Sequence, residues 1–215
     1  METTNDGQVP RAVVHRLSLY LRELQQLIIN GRSTTSSTQL GKLLGFTDAQ
    51  VRKDLAHFGQ FGYPGIGYRC EELIVAIKSI LGTDHEWPVA IVGVGNLGRA
   101  LLGYRGFHNQ GFRVVAAFDT DPEKVGEKFE GILVYPTDQI SEFIRQHSIR
   151  LAMIAVPASS AQIVADELVR SGVEGIVNFA PVTLAHPAGI WVERVDLAIE
   201  LEQLSFSVVN RQQNT

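Results

Sequence analysis

Apolar residues recur at helical spacing through the first third of the chain. Val13, Val14, Leu17, Leu21, Leu24, Leu27 and Ile28 make one stripe, with Pro10 at its first turn and Asn30-Gly31 at its end. A polar run, Arg32 to Ser37, leads into a short second helix predicted over Thr38–Leu44, which Gly45 stops. Thr47 and Gln50 stand at capping-box spacing before a third helix, Asp48–Phe58, whose core face is Val51, Leu55 and Phe58. Gln50, Arg52, Lys53 and His57 fall largely outside that face. The stretch from Gly59 to Tyr68 is too rich in glycine for a helix and reads as a hairpin or wing, and Glu71–Leu81 makes a fourth helix. Beyond Gly82–Pro88 the pattern changes. Short apolar runs (Val89–Val92, Val114–Phe118, Ile132–Tyr135, Leu151–Val156, Gly175–Phe179) alternate with helical stretches, Thr137–His147 and Ser159–Arg170 among them, which predicts a parallel, doubly wound α/β sheet. After Ile190-Trp191-Val192 the chain ends in a very apolar helix carrying Leu197, Ile199, Leu201, Leu204, Phe206 and Val208. Such a helix has little polar face; it either packs on its own domain or, in the preferred reading, docks on a partner subunit.

The run Val89–Val92 opens the most informative unit. Gly93, Gly95 and Gly98 follow it at GxGxxG spacing, with Val94, Asn96 and Leu97 between them, and a second apolar run ends at Asp119, 21 residues beyond Gly98. The first glycine serves the tight turn, the second the approach of backbone N–H groups to a pyrophosphate, and the third the packing of helix on strand. An acid at that distance suits the adenosine ribose hydroxyls, so the unit reads as a dinucleotide site, against the plainer alternative of a structural glycine turn. Asp119 would repel a ribose 2′-phosphate, and Thr120, Asp121 and Pro122 offer no arginine to receive one, which favours NAD(H) over NADP(H). The ligand belongs at the carboxyl ends of the strands, beside Gly93–Gly98, Asp119 and the turn at Val156-Pro157-Ala158.

Charge is divided along the chain. Net −4 overall hides seven cations against two anions over residues 7–53 (+5) and ten against fifteen over residues 86–215 (−5). A basic end on an acidic remainder suggests a polyanionic partner, or simply a solvated basic face. Two short helices split by a glycine turn, the second opening on polar and basic residues, fit a helix-turn-helix, with a three-helix protein-interaction module as the alternative. Cys70 excludes an intramolecular disulfide framework and is expected to be a half-buried small residue. No apolar run is long enough to span a bilayer and residues 1–10 have no leader-like apolar core, so a cytoplasmic location is expected. No Tyr-x-x-x-Lys pair or Ser-His-Asp cluster supports catalysis, and His108, His147 and His186 lack metal-ligand spacing. The reading is therefore of a protein that binds NAD(H) without turning it over and without a metal. A small NAD-dependent oxidoreductase with an accessory N-terminal domain is the alternative.

The runs VRKDLAHFGQFGYPGIGY, VAIVGVGNLGRALLGYRGF, AAFDTDPEKVG, IVNFAPVTL and VERVDLAIELEQLSF, in that order, resemble the Rex family of redox-sensing transcriptional repressors, and the resemblance extends from Pro10 to Phe206. The resemblance implies a winged-helix DNA-binding domain (1–84), a Rossmann NAD(H)-binding domain (85–195) and a C-terminal helix (196–215) exchanged across a homodimer. It implies a repressor that holds double-stranded operator DNA, reads the NADH/NAD⁺ balance and leaves the DNA when NADH binds. It further implies a state-dependent ion pair between subunits from Arg16 to Asp196, with Tyr104 switching partners near the nicotinamide. DNA contacts are expected from Gln50, Arg52, Lys53 and His57. The chain departs from the family at the wing, where Tyr63-Pro64 stand in place of a basic pair.

Overall fold

A computed structural model describes residues 9–212; residues 1–8, where the expectation about a leader falls, and 213–215 lie outside the described residues. The chain divides between His85 and Glu86 into two compact units.

In the first unit, α1 (Arg11–Ile29) buries Val13, Leu17, Tyr20, Leu21, Leu24 and Leu27. Val14, expected in that stripe, is 40% exposed, because it lies a turn of about 100° round the helix from Val13. Tyr20 takes the place on the core face instead. After β1 (Thr34–Thr35) come α2 (Ser37–Leu44) and α3 (Asp48–Ala56). Ser36 accepts the Gln39 N–H to open α2, and left-handed Gly45 closes it. Thr47 accepts the Gln50 N–H to open α3. α3 ends two residues short of the predicted Phe58, whose N–H turns to the Leu55 carbonyl. Strands β2 (Gly62–Tyr63) and β3 (Gly67–Arg69) form the predicted hairpin, and β1 pairs antiparallel with β3 to make a small sheet ordered β1-β3-β2. α4 (Cys70–Leu81) packs on α1. Cys70 is fully buried in the core of this unit rather than half-buried, and burial pushes its thiol pKa up. Helices α2 and α3 with the hairpin behind them make a winged helix.

The second unit is built on a seven-stranded sheet. Its elements are β4 (Trp87–Val92), α5 (Asn96–Leu102), α6 (Gly106–Asn109), β5 (Phe112–Asp119), β6 (Lys128–Phe129), β7 (Ile132–Pro136), α7 (Ile140–Gln146), β8 (Leu151–Ile154), α8 (Ala158–Ser171), β9 (Gly175–Asn178), β10 (Trp191–Arg194) and α9 (Leu197–Gln212). A single 3₁₀ turn, Thr137–Gln139, precedes α7, so the predicted helix over 137–147 is shorter and begins irregularly. The order β10-β9-β8-β4-β5-β7-β6 puts β4 at the centre and reverses direction between β4 and β8. That is the doubly wound order, with its crevice at the reversal. The sheet is parallel except at one edge, where β6 runs antiparallel to β7 through the tight turn at Glu130-Gly131. β4 shows why its sequence lacks polar alternation. Ala90 and Val92 pack with residues of α7 and α8 on one face, while Val89 and Ile91 pack with Leu102 of α5 on the other. Among the described residues no helix is long and apolar enough to cross a membrane.

Candidate functional site

Two sites emerge, one in each unit. In the second, β4 and β8 end side by side and their loops leave the sheet in opposite directions. A cleft of about 370 Å³ opens there, lined by Gly93, Gly95, Asp119, Asp121, Lys124 and Val156 among others. Of the three glycines, two are demanded by the protein itself. A Cβ on Gly93 would stand 2.5 Å from the Ala155 carbonyl oxygen, and one on Gly98 would stand 1.9 Å from that of Gly93. Gly95 is different: a Cβ there would meet nothing within 4 Å. The close packing of strand and helix therefore accounts for Gly93 and Gly98, while Gly95 keeps open the space that a pyrophosphate would occupy at the start of α5. Asn96 and Leu97 are exposed at that helix start, and Val94 is buried. Val156 lines the cleft together with Pro157, which caps α8. The residues present thus fit a dinucleotide.

Asp119, 9% exposed, closes β5. Its carboxylate accepts the N–H of Val94 (2.7 Å) and of Asp121 (2.9 Å), and Lys124 Nζ lies 3.4 Å away. Burial alone would raise its pKa, but the Asp121 and Val94 N–H groups with Lys124 outweigh it and hold the carboxyl below its ordinary range. Asp119 is ionised at neutral pH and ties the glycine turn to the end of the next strand. Lys124, also 3.2 Å from Asp121, is a residue that sequence reasoning missed. Its signal was the spacing of three residues from Asp121 within a turn.

One chain does not bring Tyr104 to this cleft. The ring is 55% exposed, lies edge-on to Phe107 and borders a separate hollow with Arg105, His108 and Glu130. A larger cleft, about 780 Å³, lies beside the beginnings of β4 and β5 and along α7, away from the glycine turn. Its position at the amino ends of these strands is the wrong one for a dinucleotide.

In the first unit, α3 presents Arg52 and Lys53 on its exposed side, and His57 is exposed at its C-terminal cap. Arg52 is held by Asp48 (2.7 Å) and by the Ser37 hydroxyl of α2 (3.1 Å), a surface arrangement that orients the guanidinium without burying it. Gln50 is placed otherwise. It is half-buried, and its amide donates to Asp54 at 2.7 Å rather than turning back to Thr47, so the capping box is only half formed. Asp54, 0% exposed, is the centre that the sequence concealed. Arg16 reaches it twice (2.6 and 2.8 Å), the Tyr20 hydroxyl donates to it at 2.7 Å, and Gln50 completes the set. Burial would raise this carboxyl, yet the Arg16, Tyr20 and Gln50 donors hold it below its ordinary range. α3 is thereby fastened to α1. A signal existed: position 54 lies three residues beyond Val51, on the core face.

Arg16 and Asp196 each hold a partner within the single chain, Arg16 with Asp54 and Asp196 with Arg194 at 2.7 Å. Asp196 also accepts the Ala198 N–H at the start of α9. On the wing, Tyr63 and Arg69 both bind Glu72 (2.8 and 2.9 Å), and Arg69 lies over the Tyr63 ring. On α9, Leu197, Leu201, Leu204, Phe206, Val208 and Val209 are all more than half exposed.

Comparison with known proteins covers both units. Residues 8–56 match the family model described as "Putative DNA-binding protein N-terminus", and residues 84–182 match that of the CoA binding domain. The redox-sensing transcriptional repressor Rex of Pelotomaculum thermopropionicum is 44% identical over 95% of this chain and 96% of its own. That of Carboxydothermus hydrogenoformans is 45% identical over 94% and 97%. Among solved structures, RSP, a Rex-family repressor, in complex with NAD⁺ and operator DNA aligns with a TM-score of 0.90 at 35% identity over 96% of this chain and 95% of RSP. Its complex with NADH aligns at 0.86 and 34% over 95% and 96%. With likeness of that depth along the whole length, the chain belongs to the Rex family of redox-sensing transcriptional repressors.

Proposed function

We propose that this chain represses transcription as a homodimer, holding operator DNA through α3 and leaving it when NADH occupies the cleft at Gly93–Gly98. The observation that carries the reading is the pairing, in one chain, of a helix-turn-helix with a cationic exposed face and a dinucleotide cleft whose middle glycine is free of any packing duty. In this reading Arg52 and Lys53 meet base edges or phosphates, with His57 beside them, and Gln50 acts through Asp54 or turns outward on the DNA. Gly93 to Gly98, Asp119, Val156 and Pro157 hold the dinucleotide. The exposed apolar face of α9 supports its exchange across the dimer, since water is a poor permanent neighbour for six large side chains. The protein acts in the cytoplasm, where operator and cofactor pool meet.

The two redox states differ in the charge and planarity of the nicotinamide ring, so only contacts that sense that ring can shift the dimer. Tyr104 from the partner subunit, carried to the ring by dimerisation, would be such a contact. An inter-subunit pair between Arg16 and Asp196 asks each to exchange the partner it holds within the chain, which would free Asp54 and loosen α3 as the domains move. A dimer on a two-fold operator must keep its recognition helices about 34 Å apart, or a multiple, and a modest rotation breaks that register. The test is a titration of the full chain onto a labelled palindromic duplex selected from a random pool, with and without NADH. Release by NADH over roughly a 5- to 150-fold range of affinity is expected. Unchanged affinity, or turnover of NADH with a carbonyl substrate, would overturn the reading. Asp196→Ala should keep NADH binding and lose much of the release.

A further inference from the structure

The end of β5 carries one ammonium between two carboxylates. Lys124 Nζ lies 3.4 Å from Asp119 Oδ2 and 3.2 Å from Asp121 Oδ2, and all three residues line the same cleft as Gly95. In doubly wound folds this is where the adenosine ribose sits, with an acid for NAD or a cation for the 2′-phosphate of NADP. Both kinds of residue are therefore present here at once. We propose that Lys124 is a latent 2′-phosphate receptor, kept out of use by Asp119 and Asp121, and that the choice of NADH over NADPH rests on this ion-paired trio rather than on Asp119 alone. The proposal rests on the NAD(H) reading above.

The charge count supports it. Two carboxylates and one ammonium leave this corner at −1, which repels a 2′-phosphate while accepting the neutral hydroxyls of a ribose. Removing one carboxylate brings the corner to zero, and removing both leaves Lys124 as a lone cation in a partly desolvated cleft. Lysine binds phosphate well as a point charge and needs no fixed fork geometry, so its path to a nearby phosphate requires only rotation of its own side chain. Its side chain is 21% exposed, which leaves it that freedom.

Calorimetric titration of the full chain with NADH and with NADPH tests this, with circular dichroism to verify folding of each variant. Lys124→Met should widen the preference for NADH about tenfold, because the corner then goes from −1 to −2 and repels a 2′-phosphate more strongly. Asp119→Ser with Asp121→Ser should reverse the preference, and adding Lys124→Met to that pair should weaken NADPH about tenfold or more while moving NADH by less than about threefold. A NADH/NADPH ratio unmoved by Lys124→Met overturns the proposal, as does NADPH binding in the double variant that ignores Lys124. Should the serine pair fail to fold, Lys124→Met alone still decides. A parent chain that binds neither dinucleotide overturns the NAD(H) reading and this proposal together; one that binds NADH with a Lys124-independent ratio overturns this proposal alone.

Discussion

Among the described residues each unit buries one aspartate, and the two are held in contrasting ways. Asp54 of the winged helix is enclosed by side chains: a bidentate arginine, a tyrosine hydroxyl and a glutamine amide fill its acceptor sites. Asp119 of the sheet unit is held by two backbone N–H groups and a loosely placed lysine, and it borders a cleft. Both carboxyls are kept below their ordinary pKa, so the shift itself does not distinguish them. What differs is whether acceptor capacity is left over. A carboxylate closed by side chains fixes one element on another; a carboxylate fastened from behind by the backbone keeps lone pairs for a ligand. The comparison teaches that the depth of burial of an acid says less about function than the kind of donor that holds it.

The largest expected effect comes from breaking the closed site. Arg16→Met leaves Asp54 buried without its cation, and removal of one partner from a buried pair costs about 3 kcal/mol or more. Urea unfolding of the first unit should show a loss of that size, together with weaker operator binding as α3 loses its attachment to α1. The sign of the pH dependence follows from the depressed pKa. The contribution of Asp54 is fully present above its unfolded value, about 3.9, and is lost as pH falls through the lower folded value. Asp54→Asn should lower stability at neutral pH and flatten the acid limb, so that the gap from the parent narrows as the pH drops. A gap that is constant with pH would place the stabilisation elsewhere.

A middle effect separates packing from binding in the glycine turn. Gly98→Ala forces a methyl group into the Gly93 carbonyl and should cost roughly 1–3 kcal/mol of stability as helix and strand are pushed apart. Gly95 has open space and an ordinary negative φ of −77°, so Gly95→Ala should leave the unfolding transition nearly unmoved and weaken NADH binding. Thermal melts and calorimetry on the same two proteins check this. Equal losses of stability in both would mean that Gly95 also serves the packing.

Legibility from sequence followed the same division. Periodicity in α1 and the order of strand, glycine turn, strand and acid around Gly93–Asp119 are local patterns, and both the dinucleotide unit and the helix-turn-helix stand on them. Asp54 was hidden because a charged residue on a helix is read as facing water. Its burial depends on Arg16 and Tyr20, 38 and 34 residues away. Gln50 was legible as a helix opener but not in direction, since its amide had two acceptors to choose from. Lys124 lay in a turn whose shape only the folded loop after β5 decides. β6 is two residues long, too short for any alternation to register. The fold was thus readable where contacts are close in sequence, while side-chain direction was not, whether the partner is distant, as for Asp54, or within a turn, as for Lys124.

The smallest expected effect sharpens the comparison most. Lys124→Met removes a cation from Asp119 as Arg16→Met removes one from Asp54, so the two changes are chemically parallel. They should not be energetically parallel. Asp119 keeps the Val94 and Asp121 N–H groups, which are part of the backbone and stay in place, and its lost partner stood at 3.4 Å, compared with 2.6 Å for the closest approach of Arg16 to Asp54. The carboxylates differ as well: the Asp119 side chain is 11% exposed against 1% for Asp54, so water replaces more of the lost attraction there. The loss of stability should be less than about 1 kcal/mol, within the range of partly exposed ion pairs. Unfolding of the second unit by urea, measured beside Arg16→Met in the first, gives the two numbers under one set of conditions. A cost for Lys124→Met that matched the cost for Arg16→Met would mean that Asp119 is as closed as Asp54, and that its lone pairs are not reserved for a ligand.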